Sequence, residues 1–117
     1  LASNSATGFV TDVPYTTPGA PTSVAASTGS AVGELLVSWT PPVSDGYKTI
    51  TSYTIELTTK ANYDNNPNSG WFNAGSTAST STSVYATPGT QYYARVSASN
   101  GVSGTYGVSS TFAAAHS

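Results

Sequence analysis

The 117-residue chain has no cysteine and no methionine, a single histidine, and only eight side chains that carry full charge at neutral pH. Without cysteine there can be no disulfide staple and no thiolate nucleophile or ligand. That absence leaves the redox compartment open, because chains from oxidising and reducing surroundings alike can lack cysteine. His116 stands one residue from the end, where a tail without fixed structure is expected. The three cations, Lys48, Lys60 and Arg95, are scattered and form no basic stripe. They cannot neutralise a run of phosphates, so nucleic acid is excluded as a partner. Apolar runs are only a few residues long, far short of the roughly twenty that a membrane-spanning helix needs. No segment repeats apolar residues at i, i+3, i+4 and i+7 for long enough to predict a helix. Since the chain begins at Leu1 and holds no methionine, it reads as a processed product or an excised piece of something longer.

What the chain does hold is 19 serines, 19 threonines and 13 aromatic residues, against a net charge of −2. Solubility therefore rests on hydroxyl groups, a surface more common on secreted, virion or cell-surface proteins than on cytosolic enzymes. The length fits one domain. Such a domain buries roughly two-thirds of its unfolded surface and needs neither metal nor disulfide.

Short alternating segments punctuated by proline and glycine predict an all-β domain. Residues 1–17 read as an N-terminal arm or linker, or as an extra strand, since Phe9, Thr11, Val13 and Tyr15 alternate with Val10, Asp12 and Pro14. The folded unit is placed at 18–117, opening on a Pro18-Gly19 turn and a strand near 22–26. In 33–40, Leu35, Val37 and Trp39 share one face, and Pro41-Pro42 ends the strand because neither proline can donate a ladder hydrogen bond. In 51–58, Tyr53, Ile55 and Leu57 face one way and Glu56 the other. The Asn-rich stretch 61–70 reads as a long connection, and a short strand starts at Trp71-Phe72. After Pro88-Gly89, residues 91–99 put Tyr92, Ala94, Val96 and Ala98 inward and Tyr93, Arg95 and Ser97 outward. A last strand spans 108–114 and contains Phe112. With a further strand at Val84, before the Pro88-Gly89 turn, seven strands result.

The run Pro18-Gly19-Ala20-Pro21, then Leu35-x-Val37-Ser38-Trp39-x-Pro41-Pro42, then Ile50-x-x-Tyr53-x-Ile55 resembles a fibronectin type III domain of microbial or viral type. The later run Pro88-Gly89-Thr90-x-Tyr92-x-Ala94-Arg95-Val96-x-Ala98-x-Asn100 carries the resemblance further, across about 18–115. The resemblance implies a seven-stranded antiparallel β-sandwich of immunoglobulin-like architecture, with Trp39 central and Tyr92 as a tyrosine corner bonded to backbone. Two departures stand out: Ala86 replaces the large apolar residue usual before the turn proline, and the 60–70 connection is long.

Catalysis has little to draw on, so no enzyme is expected and no catalytic, cofactor or metal site is assigned. Asp45 and Asp64 fall on loops where solvated acids are the ordinary reading, and Asp64-Asn65-Asn66 lacks the glycine and closing glutamate of a calcium loop. The 102–106 loop contains no Arg-Gly-Asp, and no Asn-x-Ser/Thr sequon occurs. The function expected is that of a structural or adhesive module in an extracellular, cell-surface or virion assembly, acting through protein–protein contacts. Candidate contacts are Phe9, Val13, Tyr15, Tyr47, Tyr63 and Tyr106. The partner is another protein, or a copy of the same chain whose sheet edge receives the N-terminal arm. The alternative is an accessory spacer or carbohydrate-binding module of a secreted polysaccharide-degrading enzyme, with loop aromatics stacking on sugar.

Overall fold

A computed structural model describes residues 16–117. Residues 1–15 of the arm, with Phe9, Val13 and Tyr15, lie outside the described residues. The strands are β1 (Thr22–Thr28), β2 (Glu34–Thr40), β3 (Ser52–Thr59), β4 (Phe72–Thr77), β5 (Ser81–Tyr85), β6 (Gln91–Ser99), β7 (Gly107–Val108) and β8 (Ala113–Ala114), with one helix, α1 (Lys60–Asn65), after β3. They form two antiparallel sheets. One is ordered β1-β2-β5; the other runs β4-β3-β6-β7, with β8 also pairing with β6.

The period of two builds the core. Leu35, Val37 and Trp39 from β2 face Tyr53, Ile55 and Leu57 from β3 and Tyr92, Ala94, Val96 and Ala98 from β6, with Val24 and Val84 closing the layer. Burying each large aliphatic side chain contributes about 1.5–3 kcal/mol. Trp39 and Tyr53 meet with ring centroids 5.3 Å apart and tilted by 58°, a geometry that aromatic quadrupoles favour. Ala86, small where the family is large, packs at the edge of this core beside Val84. The Tyr92 hydroxyl accepts a hydrogen bond from the Thr87 backbone N–H at 3.1 Å, completing the tyrosine corner.

Four expectations are corrected. The 61–70 connection begins with a six-residue helix, because the Thr59 hydroxyl accepts the Asn62 N–H and caps its N-terminus. The last strand is two short pieces, since the ladder is interrupted at Ser109: its N–H still donates to the Ala94 carbonyl, but its hydroxyl takes the Ala94 N–H and donates to the Thr111 carbonyl. Ser97 is buried although it was expected to face water. Nor is His116 a loose tail; its N–H donates to the Glu34 carbonyl and its own carbonyl accepts from Gly33.

Glu34 organises the turn between β1 and β2. Its carboxylate accepts from the Ser83 hydroxyl at 2.7 Å and from the Ala31 and Ser30 backbone N–H groups at 2.9 and 3.0 Å. These bonds, that from Ser83 foremost, hold its pKa below the ordinary value of 4.5. A depressed carboxylate stabilises the fold fully above its unfolded value, and the benefit disappears as pH falls through the folded one. Thermal midpoints of the wild type and Glu34→Gln should therefore differ at neutral pH and converge in acid. A gap that stays constant across that range would reject this account.

Candidate functional site

Two surface regions concentrate the aromatic residues. The first is the end of the sandwich where the chain enters. After Pro41-Pro42 stops β2, the loop to β3 turns on Asp45, whose carboxylate accepts the Tyr47 N–H at 3.0 Å, and on Ser44, whose hydroxyl accepts the Gly46 N–H at 3.3 Å. Tyr47 is left with φ of 69°, an outlier for a bulky side chain. Tyr47 is 76% exposed, Val43 is fully exposed at 100%, and Val102 on the neighbouring loop is 40% exposed. Tyr47 borders a shallow concavity of about 530 Å³ whose lining mixes apolar residues such as Val43 and Ile50 with the polar Ser44, Asp45 and Thr49.

One buried side chain ties this end together. Asn100, 1% exposed, donates from Nδ2 to the carbonyls of Thr16 at 2.9 Å and Asp45 at 2.7 Å, and its Oδ1 accepts the Val102 N–H at 3.2 Å. The entering chain, the β2–β3 loop and the β6–β7 loop thus hang on a single carboxamide. Backbone bonds from Thr16 N–H to the Gly46 carbonyl and from Gly19 N–H to the Ser44 carbonyl, both 2.9 Å, reinforce it.

The second region is the outer face of the larger sheet. Arg95, outward on β6, bonds Glu56 opposite it on β3, with Nε to Oε1 at 2.8 Å. Its guanidinium lies 4.5 Å from the Trp71 ring centre and 4.0 Å from that of Tyr106. Tyr63, on α1, stacks on Tyr93 at 4.0 Å and meets Trp71 edge-on at 6.1 Å. Phe112 continues the row, 5.8 Å from Tyr93, with the Lys60 ammonium 5.0 Å from its ring. Cation–π attraction of this kind is worth about 0.5–2 kcal/mol per contact.

Of the sequence candidates, Tyr63 and Tyr106 therefore share the sheet face, on either side of Arg95, whereas Tyr47 stands apart at the loop end. Asp45 and Asp64 do not meet: the first holds the turn, and the second sits on α1 paired with Lys60 at 2.6 Å. The Asn-rich stretch is occupied with itself, Asn62 Nδ2 donating to the Thr58 hydroxyl and Asn66 Oδ1 accepting from Asn68. Among the described residues no three acids or histidines converge on a point where a cation could sit, and no helix is long and apolar enough to cross a membrane. The roles of Asn100 and Arg95 escaped the sequence reading. The outward register of Tyr93 and Arg95 was the available hint for the second; nothing but an Asn-Gly turn marked the first.

Solved structures share this architecture. Domains A168–A170 of titin align with 81% of the chain at 24% identity and a TM-score of 0.58, and the twitchin kinase region of C. elegans with 78% at 24% and 0.65. The chain spans 33% and 15% of those two chains. A solution structure of a fourth FNIII domain from human aligns with 99% of the chain and is itself covered to 92%, at 21% identity and a TM-score of 0.65. No curated protein matches the sequence. The fibronectin type III domain profile matches residues 19–112. Two sheets, the Trp39 core, the Tyr92 corner and that match together make the chain a member of the fibronectin type III family.

Proposed function

We propose that the chain is a non-catalytic structural or adhesive module of an extracellular, cell-surface or virion assembly, and that it binds a protein partner through the loop end bearing Tyr47. Fibronectin type III domains are typically protein-interaction modules. The observation that carries the reading here is Tyr47: an aromatic ring presented to solvent on a left-handed backbone, beside a shallow concavity of mixed polar and apolar lining and a fully exposed Val43. A left-handed conformation costs a non-glycine residue roughly 1–2 kcal/mol. Strain of this kind persists where the surroundings over-determine it, and it clusters at functional sites. Exposed tyrosine is also a frequent energetic anchor of protein interfaces, with its large apolar body and polar tip.

Tyr47→Gly separates function from folding. Glycine accepts φ of 69° without penalty, so the variant should keep or slightly raise the thermal midpoint. Binding should fall at least about tenfold if Tyr47 is an anchor. The measurement is surface plasmon resonance of both proteins against an array of purified extracellular-matrix and cell-surface proteins, with soluble and insoluble glycans alongside. Protein binding that survives Tyr47→Gly would reject the loop end as the contact. Binding to glycans alone would instead support an accessory module of a polysaccharide-degrading enzyme. The sheet-face rings favour that outcome less, since Tyr63 and Tyr93 cover one another and Arg95 lies over Trp71 and Tyr106.

A further inference from the structure

The sole Asn-Gly pair in the chain is Asn100-Gly101, and it coincides with the buried carboxamide that holds the loop end together. Asn-Gly is the dipeptide in which a backbone nitrogen most readily attacks the preceding side chain, because glycine places no β-carbon in the way. The Gly101 nitrogen, on losing its proton, adds to Asn100 Cγ, and the Cγ–Nδ2 bond breaks as ammonia leaves. Water then opens the cyclic imide at either carbonyl. The products are an aspartate, or an isoaspartate whose main chain runs through the side-chain carbon. Ammonia is lost and water gained; no oxidant or reductant takes part.

In the fold each reacting group is held. Nδ2, the leaving nitrogen, donates to Thr16 and Asp45; Oδ1 accepts from Val102; and the attacking Gly101 N–H donates to the Ser99 hydroxyl at 3.2 Å. Ring closure needs Cγ to swing toward the Gly101 nitrogen, which breaks the Nδ2 bonds. The side chain is 1% exposed, so water must also enter. Reaction therefore waits on local opening of this end.

The product cannot close it again. A carboxylate has no proton to donate, so the Thr16 and Asp45 carbonyls would lose their donor and face a negative charge in a site that excludes water. Desolvating an unpaired charge beside two acceptors is strongly unfavourable. We propose that Asn100-Gly101 is a deamidation site kept in check by the fold, where one opening of the loop end can convert a reversible latch into a permanently released one.

Peptide mapping by mass spectrometry tests this on the full chain kept in mildly alkaline buffer, either folded in sodium chloride or unfolded in guanidinium chloride of matched ionic strength. Conversion of Asn100 should be at least about tenfold slower in the folded sample, as expected where reaction requires opening. Equal rates in the two samples would overturn the protection. The product side is tested with Asn100→Asp, which should melt about 5 °C or more below the wild type and exchange its Gly19 and Gly46 amide hydrogens faster. An Asn100→Asp protein with the wild-type midpoint would overturn the release. Should that variant not fold, partly deamidated wild-type protein, separated by ion exchange, gives the same melting comparison.

Discussion

Replacing Trp39 by alanine is expected to remove about 3–5 kcal/mol of folding stability, the range for truncating a buried large aromatic. A domain of this size has only about 5–15 kcal/mol in hand, so the variant should be largely unfolded in modest denaturant or on mild heating. The indole sits between the sheets against Tyr53, 6% exposed, at the centre of the aliphatic layer. Its removal leaves a void that Leu35 and Val37, fixed in their ladders on the same strand, are poorly placed to fill. Phenylalanine is the informative contrast. The Trp39 Nε1–H is buried without an acceptor among the described residues, and an unpaired buried donor costs about 1–3 kcal/mol. Trp39→Phe loses some packing but also removes that unpaired donor, so its unfolding free energy from urea titration should lie within about 1 kcal/mol of wild type. If Trp39→Phe were as damaging as alanine, the indole N–H would have to make a bond that this geometry does not contain.

Gly46→Ala should be the most damaging single-methyl change at the loop end. The residue has φ of 74°, and a β-carbon there would press on the carbonyl oxygens of Thr16 and Thr17, the latter at 2.9 Å. The dihedral alone costs roughly 1–2 kcal/mol. Relief of the contact must displace the entering chain, which bonds Gly46 through the Thr16 N–H and Asn100 through the Thr16 carbonyl. A total near 3 kcal/mol follows as an order of magnitude, adding one displaced hydrogen-bonded segment to the dihedral cost. Gly89→Ala is the control, because its φ of 80° is similar while its β-carbon would meet nothing nearer than Ser117 at 4.0 Å. It should lose only the dihedral part. Equal losses in chemical denaturation of the two variants would show that contact with the entering chain contributes nothing.

Much of this architecture could be read in advance because the residues that set it act locally. The alternation in β2, β3 and β6 names the inward side chains without knowledge of what they meet, and Leu35, Ile55, Ala94 and Val96 are all fully buried. Pro41-Pro42 and Pro88-Gly89 end strands by their own backbone chemistry. What escaped depends on partners distant in sequence. His116 is ordered by Gly33 and Glu34 on the far side of the chain, and the last strand divides because Ser109 reaches Ala94. Six residues are too few to show a helical period, so α1 was legible only through the cap at Thr59. At the candidate site, exposure of Tyr47 followed from its loop, but its left-handed backbone came from the Asp45 turn, and the tie through Asn100 joins residues 84 positions apart.

The two tryptophans occupy opposite electrical settings, and that makes the molecule its own optical gauge. Trp39, enclosed in hydrocarbon, should emit toward the blue and lose intensity only when the sheets part. Trp71, partly buried beneath a guanidinium, should emit further to the red and respond when anything disturbs Arg95. With phenylalanine at position 39, the remaining signal would come from the outer face alone, so a ligand settling there could be followed without a label and told apart from melting of the interior.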